Sequence, residues 1–453
     1  MRNGLHNKFD EERVKVSSNN TWLEVKSATV VEVEGLLRME YRVFKHANSD
    51  EHAACHNYSL PLEVAEHVDF VMPTIQPNVN IVKVPIGRGV QPLLPLSRRD
   101  ANVTSNAANV STSNVLSGCN TQIVPSCLKA LYNMTYTPKM AANNSVGVVS
   151  YYSNSYLQSD LDLFFGNFSP ALVGSSPTLM LIDGALGTIA LDASSSVGED
   201  DWILSYLMTL SDSPQSVQFL TIGNQQTGSF FSINEWLDAV DGSYCTSDGG
   251  NDLAFNPQLP NPFPGGFNNH SCGTVKVPNI ISVSQAVEEI TYTDFYKQCQ
   301  CNEFVKLGLM GVTVLYAAAN TGTAGAARLY CLDDNGSVTL NGMHFSLSWP
   351  ASCPWVTAVG GTQVKSNTTL GQNPEEVWNQ DRTMGFFESG GGGFSQKFAK
   401  PAYQKDAVSN YLKFLAKNDL TTLQHFNNHG RAYPDISANA CVFVTCVVLR
   451  TSL

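Results

Sequence analysis

The stretch Val312-Thr-Val-Leu-Tyr-Ala-Ala-Ala-Asn320-Thr-Gly-Thr-Ala-Gly325 decides the fold. A run of β-branched and apolar residues without clean alternation suits a strand covered on both faces, as in a parallel sheet. It passes directly into Ala, Asn, Thr and Gly, residues that let a ligand approach the backbone at a strand's carboxyl end. Asn320 is therefore a candidate site residue, and a polar residue that simply closes the strand is the plain alternative. Working outward, Ile280-Ile-Ser-Val283 reads as a short buried strand. Tyr292, Phe295, Tyr296 and Cys299 fall at i, i+3, i+4 and i+7, one apolar helix face, and Gly311 returns the chain to the strand. Strand, helix, strand in this order is a right-handed parallel crossover, so the fold class is α/β.

The 453 residues suffice for one large domain plus a smaller one. Only 15% are charged and the formal net charge is −12, with a sequence pI near 5.2; this argues against a nucleic-acid partner and suits an acidic compartment. Eleven cysteines are scattered rather than set in CxxC pairs, a pattern that favours disulfides over zinc. His52, Cys55 and His56 lack a fourth ligand at zinc spacing, so no metal site is assigned. Asn-x-Ser/Thr sequons begin at Asn19, Asn57, Asn102, Asn109, Asn133, Asn143, Asn167, Asn269, Asn335 and Asn367 and point to the secretory route, hence a secreted or lysosomal protein. Met1 to Asp10 hold no apolar stretch of the signal-peptide kind. No segment approaches the roughly 20 apolar residues of a membrane span; Ala440 to Leu449 reads as a buried strand.

In chain order, Trp22–Val25 and Thr29–Val33 read as strands and Glu34 to Tyr41 as a helix, a small α+β unit. Residues 95 to 118 are Ser-, Asn-, Thr- and Ala-rich and cannot bury a core, which makes them an exposed linker. The α/β rhythm then begins: helix 124–132, strand 146–150, helix 155–165, strand 178–182, and an amphipathic helix from Glu199 to Leu210 whose acidic start suits its positive N-terminal end. Between Asp241 and Val277 lies a Gly/Pro/Asn-rich insertion with Cys245 and Cys272, expected to be closed by a disulfide. The glycine run 390–393 is followed by no Gly-Lys-Ser/Thr, so it is not a P-loop.

Three further stretches follow 312–325: Trp349-Pro-Ala-Ser-Cys-Pro-Trp-Val-Thr-Ala-Val-Gly-Gly-Thr362, Ser389-Gly-Gly-Gly-Gly-Phe-Ser-Gln-Lys-Phe-Ala-Lys-Pro-Ala-Tyr-Gln404 and Gly430-Arg-Ala-Tyr-Pro-Asp-Ile-Ser-Ala438. In residues and order they resemble the sedolisin (serine-carboxyl) peptidases, and among these the tripeptidyl-peptidases. The resemblance covers nearly all the chain. Residues 1–118 resemble the back part of the family's propeptide, with Tyr58-Ser-Leu-Pro61 and Ala65-Glu-His-Val-Asp-Phe-Val71 as the best matches, and 119–453 resemble the peptidase domain. The fold implied is a subtilisin-like parallel sheet with helices on both faces, preceded by a partial α+β propeptide domain. The function implied is serine-type acid proteolysis of peptides or unfolded protein, by an exo- or an endopeptidase. Such chemistry pairs a serine nucleophile with a glutamate base held by an aspartate on the same helix, which suits low pH, where histidine would be protonated.

Matched position by position, Glu199 falls on the glutamate and Tyr206-Leu-Met208 on the residues that follow it, with Ile203 in the aspartate's place. A rival register through Ile189-Ala-Leu-Asp192 keeps the aspartate and puts Thr188 where the glutamate belongs. Asn320 stands at the oxyanion aspartate, and an amide can donate there without being protonated. Ser284, Gln285 and Ala286 match the edge strand that pairs with substrate, Ala286 replacing a glycine. The family's Gly-Thr-Ser segment follows its Pro-Asp-Ile/Val-Ser motif, and no Gly-Thr-Ser occurs in this chain. The chain as written is thus expected to be inactive, truncated at both ends and without a cofactor, calcium being implied only for the complete family domain. The alternative is an inactive peptide-binding or regulatory homologue.

Overall fold

The computed structural model describes residues 13–16, 23–45, 51–55, 57–60, 116–135, 144–151, 155–187, 198–211, 216–223, 232–245, 255, 257–261, 266–326, 330–382, 386–419, 421–441 and 443–444. Its central sheet has eight strands, β1 Ser145–Ser150, β2 Thr178–Ile182, β3 Ser216–Ile222, β4 Ile280–Val283, β5 Thr313–Ala317, β6 Thr357–Val364, β7 Glu375–Val377 and β8 Ile436–Asn439. They lie in the order β7-β6-β5-β4-β1-β3-β2, with β8 also against β6. Every pairing is parallel except β6 with β7. The stretch read first is therefore an interior strand, with Leu315 opposite Ser282 on one side and Thr357 on the other.

The helices are α1 Val30–Leu37, α2 Pro125–Leu131, α3 Gln158–Phe168, α4 Gly198–Leu210, α5 Ile233–Val240, α6 Asp294–Leu309 and α7 Lys405–Asn418. Successive strand residues point to opposite faces, and each face meets its own helices. Val148, Val217 and Phe219 pack with Leu128, Phe164, Phe165 and Leu204 of α2, α3 and α4. Val149, Leu220 and Ile222 pack on the other side with Trp236, Leu237, Tyr296 and Phe304 of α5 and α6. Burying one such Phe or Leu contributes about 1.5–3 kcal/mol, so both layers hold the sheet. The crossover from β4 through α6 to β5 is as expected, and Gly311 makes its last turn at φ +85°.

Two expectations shift. Thr29–Val33 is the start of helix α1 rather than a strand. The Thr29 hydroxyl accepts from the Glu32 N–H, and the Glu32 carboxylate accepts from the Thr29 N–H at 2.7 Å; this capping box outweighs the β-preference of the valines. Helix α3 starts at Gln158 rather than Ser155, because the Ser155 hydroxyl donates to the Gly187 carbonyl and the Leu157 N–H donates to Asp201. The linker 95–118 lies almost wholly outside the described residues, as does much of 440–449, where Phe443 pairs with Ile123. Among the described residues no helix is long and apolar enough to cross a membrane.

Disulfides join Cys119 to Cys127, Cys245 to Cys272 and Cys301 to Cys353. The middle one closes the 241–277 insertion as expected, and Cys331 has no disulfide partner among the described residues. The Cys353 turn is further tied to β8 through Arg431, which is wholly buried. Its guanidinium donates to the carbonyls of Cys353 and Val356 and forms an ion pair with Asp435. Asp435 also accepts from the Ala358 N–H at 2.8 Å and from the Gln404 amide. This is the structural content of the Gly-Arg-Ala-Tyr-Pro-Asp motif: it fixes β8 against β6.

Removing one member of a buried ion pair leaves the other charge uncompensated, which costs about 3–5 kcal/mol. Arg431→Ala is expected to lose that much in urea unfolding, and a loss under about 1 kcal/mol would show the pair to be dispensable. A second prediction concerns Asp183, fully buried after β2, whose pKa is pushed up to about 6 by burial and held down in part by the Ser271 N–H. The unfolded carboxyl titrates near pH 4, so between about pH 4 and about pH 6 the folded chain keeps a proton that the unfolded chain has lost. Stability therefore falls as pH rises through that window, by roughly 3 kcal/mol. Asp183→Asn, tolerated at its left-handed φ of 52°, should narrow the gap in melting temperature between about pH 4 and about pH 7; an unchanged gap would exclude Asp183 as its source.

Candidate active site

Parallel pairing brings the carboxyl ends of β1, β4 and β5 to one edge of the sheet. Val149 is level with Val283 and Val283 with Tyr316, so Ser150, Ser284 and Ala317 form the next row. The first turn of α4 carries Glu199, Asp200 and Asp201 onto this edge. These acids do more than cap a helix. The Ser150 hydroxyl donates to Asp200 at 2.9 Å, and the Leu157 N–H donates to Asp201 at 2.8 Å. Glu199 lies close enough to the Ser284 hydroxyl for that group to lower its pKa.

Glu199 is open to solvent on one side, yet the protein around its carboxyl removes enough water to raise its pKa, and the Ser284 hydroxyl only partly offsets this. Asp200 is buried and pushed well above the carboxylate range by desolvation, with the Ser150 bond again opposing. One turn along α4, Ile203 lies against the apolar layer of α2, α3 and α4 and brings no second carboxylate to Glu199. Thr188 and Asp192 of the rival register lie outside the described residues.

Asn320 follows β5 by three residues, and its side chain is exposed. The backbone before it turns sharply, with Ala319 at φ +77°, a region that costs a non-glycine residue energy. Three bonds fix this turn: the Ser389 N–H donates to the Asn320 carbonyl at 2.9 Å, Gly391 to Ala319 at 2.8 Å and Gly392 to Gly322 at 3.1 Å. A side chain at Gly391 would put its Cβ 1.8 Å from the Ala318 carbonyl oxygen. The glycine run is thus a strap that holds the end of β5.

Ser284, Gln285 and Ala286 continue past the point where the ladder of β4 stops, at Val283. The Gln285 side-chain oxygen is buried and has no hydrogen-bond partner among the described residues. The structure therefore brings Glu199 and Ser284 into contact and sets Asn320 on the neighbouring strand's end. Sequence reading missed two acids nearby, Asp200 and Asp201, because a carboxylate that bonds across the sheet looks the same in sequence as one that caps a helix.

A second serine–carboxylate pair sits within the strap's continuation. The Ser395 hydroxyl donates to Glu289, and the same carboxylate accepts from the Gln396 N–H at 2.8 Å. Ser395 is fully buried and also accepts from the N–H groups of Lys397 and Phe398. It is a latch between segments, out of reach of a substrate.

The pro-kumamolisin activation domain matches residues 5–76. Tripeptidyl-peptidase SED1 of Arthroderma otae is 30% identical over 459 residues, covering 92% of this chain and 67% of the relative. Aorsin of Aspergillus oryzae is 32% identical over 471 residues, covering 94% and 67%. The solved structure of Pseudomonas sedolisin, a serine-carboxyl proteinase complexed with two molecules of pseudo-iodotyrostatin, aligns over 72% of this chain and 73% of its own, at 21% identity and a TM-score of 0.45. With an activation-domain match at one end and relatives of this identity running through the remainder, the chain belongs to the sedolisin family of peptidases.

Proposed function

We propose that the carboxyl edge of the sheet is the substrate and proton-transfer site of a serine-type acid peptidase that acts on peptides or unfolded protein. The observation that carries this reading is the meeting of Ser284, at the end of β4, with Glu199 on the first turn of α4, a carboxyl whose pKa burial has raised. A carboxyl tuned upward exchanges protons in mildly acidic solution, where an ordinary one is already ionised. An extended peptide would add alongside Ser284, Gln285 and Ala286 through main-chain hydrogen bonds, and the Asn320 amide would donate to the developing oxyanion. The names of the relatives favour tripeptidyl release.

The domain division is residues 1–118 as an activation segment and 119–453 as the peptidase unit, consistent with the activation-domain match. The sequon asparagines among the described residues, Asn57, Asn133, Asn167, Asn269, Asn335 and Asn367, are all exposed, which supports a secreted or lysosomal glycoprotein. Calcium is proposed only for the complete family domain, and no step above uses it. A second reading, a peptide-binding or regulatory homologue, is favoured by Ile203, which brings no carboxylate to Glu199.

The chain holds no Gly-Thr-Ser, so the 453-residue protein is expected to bind peptide without cleaving it. Labelling by a serine-directed probe at about pH 4 to 5, abolished by denaturation, would overturn this. In a chain extended by the family's Gly-Thr-Ser segment and carrying Ile203→Asp, acid-optimal hydrolysis is expected. There Asn320→Ala should lower kcat by roughly 10²-fold with KM little changed, and an unchanged kcat removes Asn320 from the site. Material from a secretory host should lose mass on treatment with an N-glycan amidase; unmodified sequons would count against the secretory reading.

A further inference from the structure

Apart from the Glu199–Ser284 pair, the 241–277 insertion brings together a second set of reactive side chains. Asp238 lies on α5, Cys245 ends the helical turn Gly242–Cys245, and His270 and Cys272 lie on the returning loop. We propose that these four residues are a redox-gated metal site, closed by the Cys245–Cys272 disulfide and opened by a two-electron thiol reductant to bind a zinc-class divalent ion.

The spacing already resembles a coordination shell. His270 Nε2 is 3.5 Å from Asp238 Oδ2 and 3.8 Å from Cys245 Sγ. One candidate atom from each of Asp238, Cys245 and His270 falls within 4.8 Å of the others. Zinc bonds of about 2.0–2.3 Å in a tetrahedron give ligand-to-ligand edges of roughly 3.3–3.8 Å. Cys272 Sγ, bonded to Cys245, becomes the fourth ligand when the two sulfurs part. Thiolate, imidazole and carboxylate in one site is a donor set that suits zinc.

The surroundings call for a cation. Asp238, Glu235 and Asp183 are all buried. Asp183 is in electrostatic contact with His270 and Asp238, and Glu235 with Asp183 and Asp238. Asp183 Oδ2 and Glu235 Oε1 have no hydrogen-bond partner among the described residues. Three buried carboxyl groups around one imidazole are poorly balanced by His270 alone, and a divalent ion would offset them. Solvent reaches the site from the side of His270 and Cys272, both partly exposed.

The opening step balances. One thiolate of a dithiol attacks one of the two protein sulfurs and expels the other; its second thiol then attacks the reductant sulfur of the mixed disulfide, so that the dithiol leaves as its own disulfide and Cys245 and Cys272 keep two thiols. A metal ion then displaces those two protons and binds both sulfurs as thiolates.

The test uses the 453-residue chain and cobalt(II), with a phosphine as reductant because a dithiol would chelate the metal. The oxidised chain is expected to take up no cobalt at this site. The reduced chain should take up one equivalent, with thiolate-to-metal charge-transfer bands in the near ultraviolet and the visible bands of a tetrahedral ion. His270→Ala keeps every cysteine, including those of the other two bridges, and should weaken binding by at least about 10-fold. Cys272→Ser frees the Cys245 thiol without reductant and should bind cobalt through one thiolate. Equal uptake by the oxidised chain would overturn the proposal, as would an unchanged spectrum in His270→Ala. A Cys272→Ser chain that binds no cobalt while folded, or that loses its far-ultraviolet dichroism and does not regain it with added zinc, would overturn it as well.

Discussion

The structure depends on a close approach of main chain to main chain. At the end of β5, Gly391 lies so near Ala318 that any side chain there would overlap its carbonyl, and Gly390 stands in the same relation to the Gly361 carbonyl on β6. Two strands and the strap between them are joined by backbone groups alone. That contact holds Ala319 in a left-handed conformation and so aims Asn320 away from the core. Without the glycines the strand would end in an ordinary turn, and its last polar residue would have no fixed direction.

Around this contact the buried charges divide into two kinds. Arg431 and Asp435, with backbone carbonyls and N–H groups completing their shells, act as structural rivets. The acids at the other end of the sheet, Asp183, Glu235, Asp238 and Asp200, have burial as the first cause of pKa values shifted upward. Desolvation favours their protonated forms. Each raised carboxyl group contributes stability in acid that is lost as pH rises, and the best-placed candidate for proton transfer, Glu199, belongs to the same class. Stability and the proposed chemistry thus share one physical cause.

The departures from the family pattern lie where sedolisin chemistry would be most exacting. Ile203 sits on the apolar side of α4, where a carboxylate would need a partner to offset its burial. In the proposed site, Asn320 in place of an aspartate would keep a donor whatever the pH. The two changes would act there in opposite senses, one removing a proton relay and the other relaxing its pH requirement.

By itself the sequence determined the parallel α/β class, the crossover from β4 through α6 to β5 and the strap's identity as a glycine run. It also located the Cys245–Cys272 closure and the family, because hydrophobic periodicity and short motifs are local properties. It misread Thr29–Val33, where a capping box competes with β-branched residues and a single hydrogen-bond pair decides the outcome. Only the tertiary structure decided which acids of the Glu199 helix meet which serines, since Ser150 and Ser284 come level through strand register. It alone showed that Ser395 is sealed against Glu289 and that Asp238, His270 and the two insertion cysteines share one pocket of charge. Those facts depend on distances between residues far apart in the chain, and such distances are fixed by packing and pairing rather than by any local pattern.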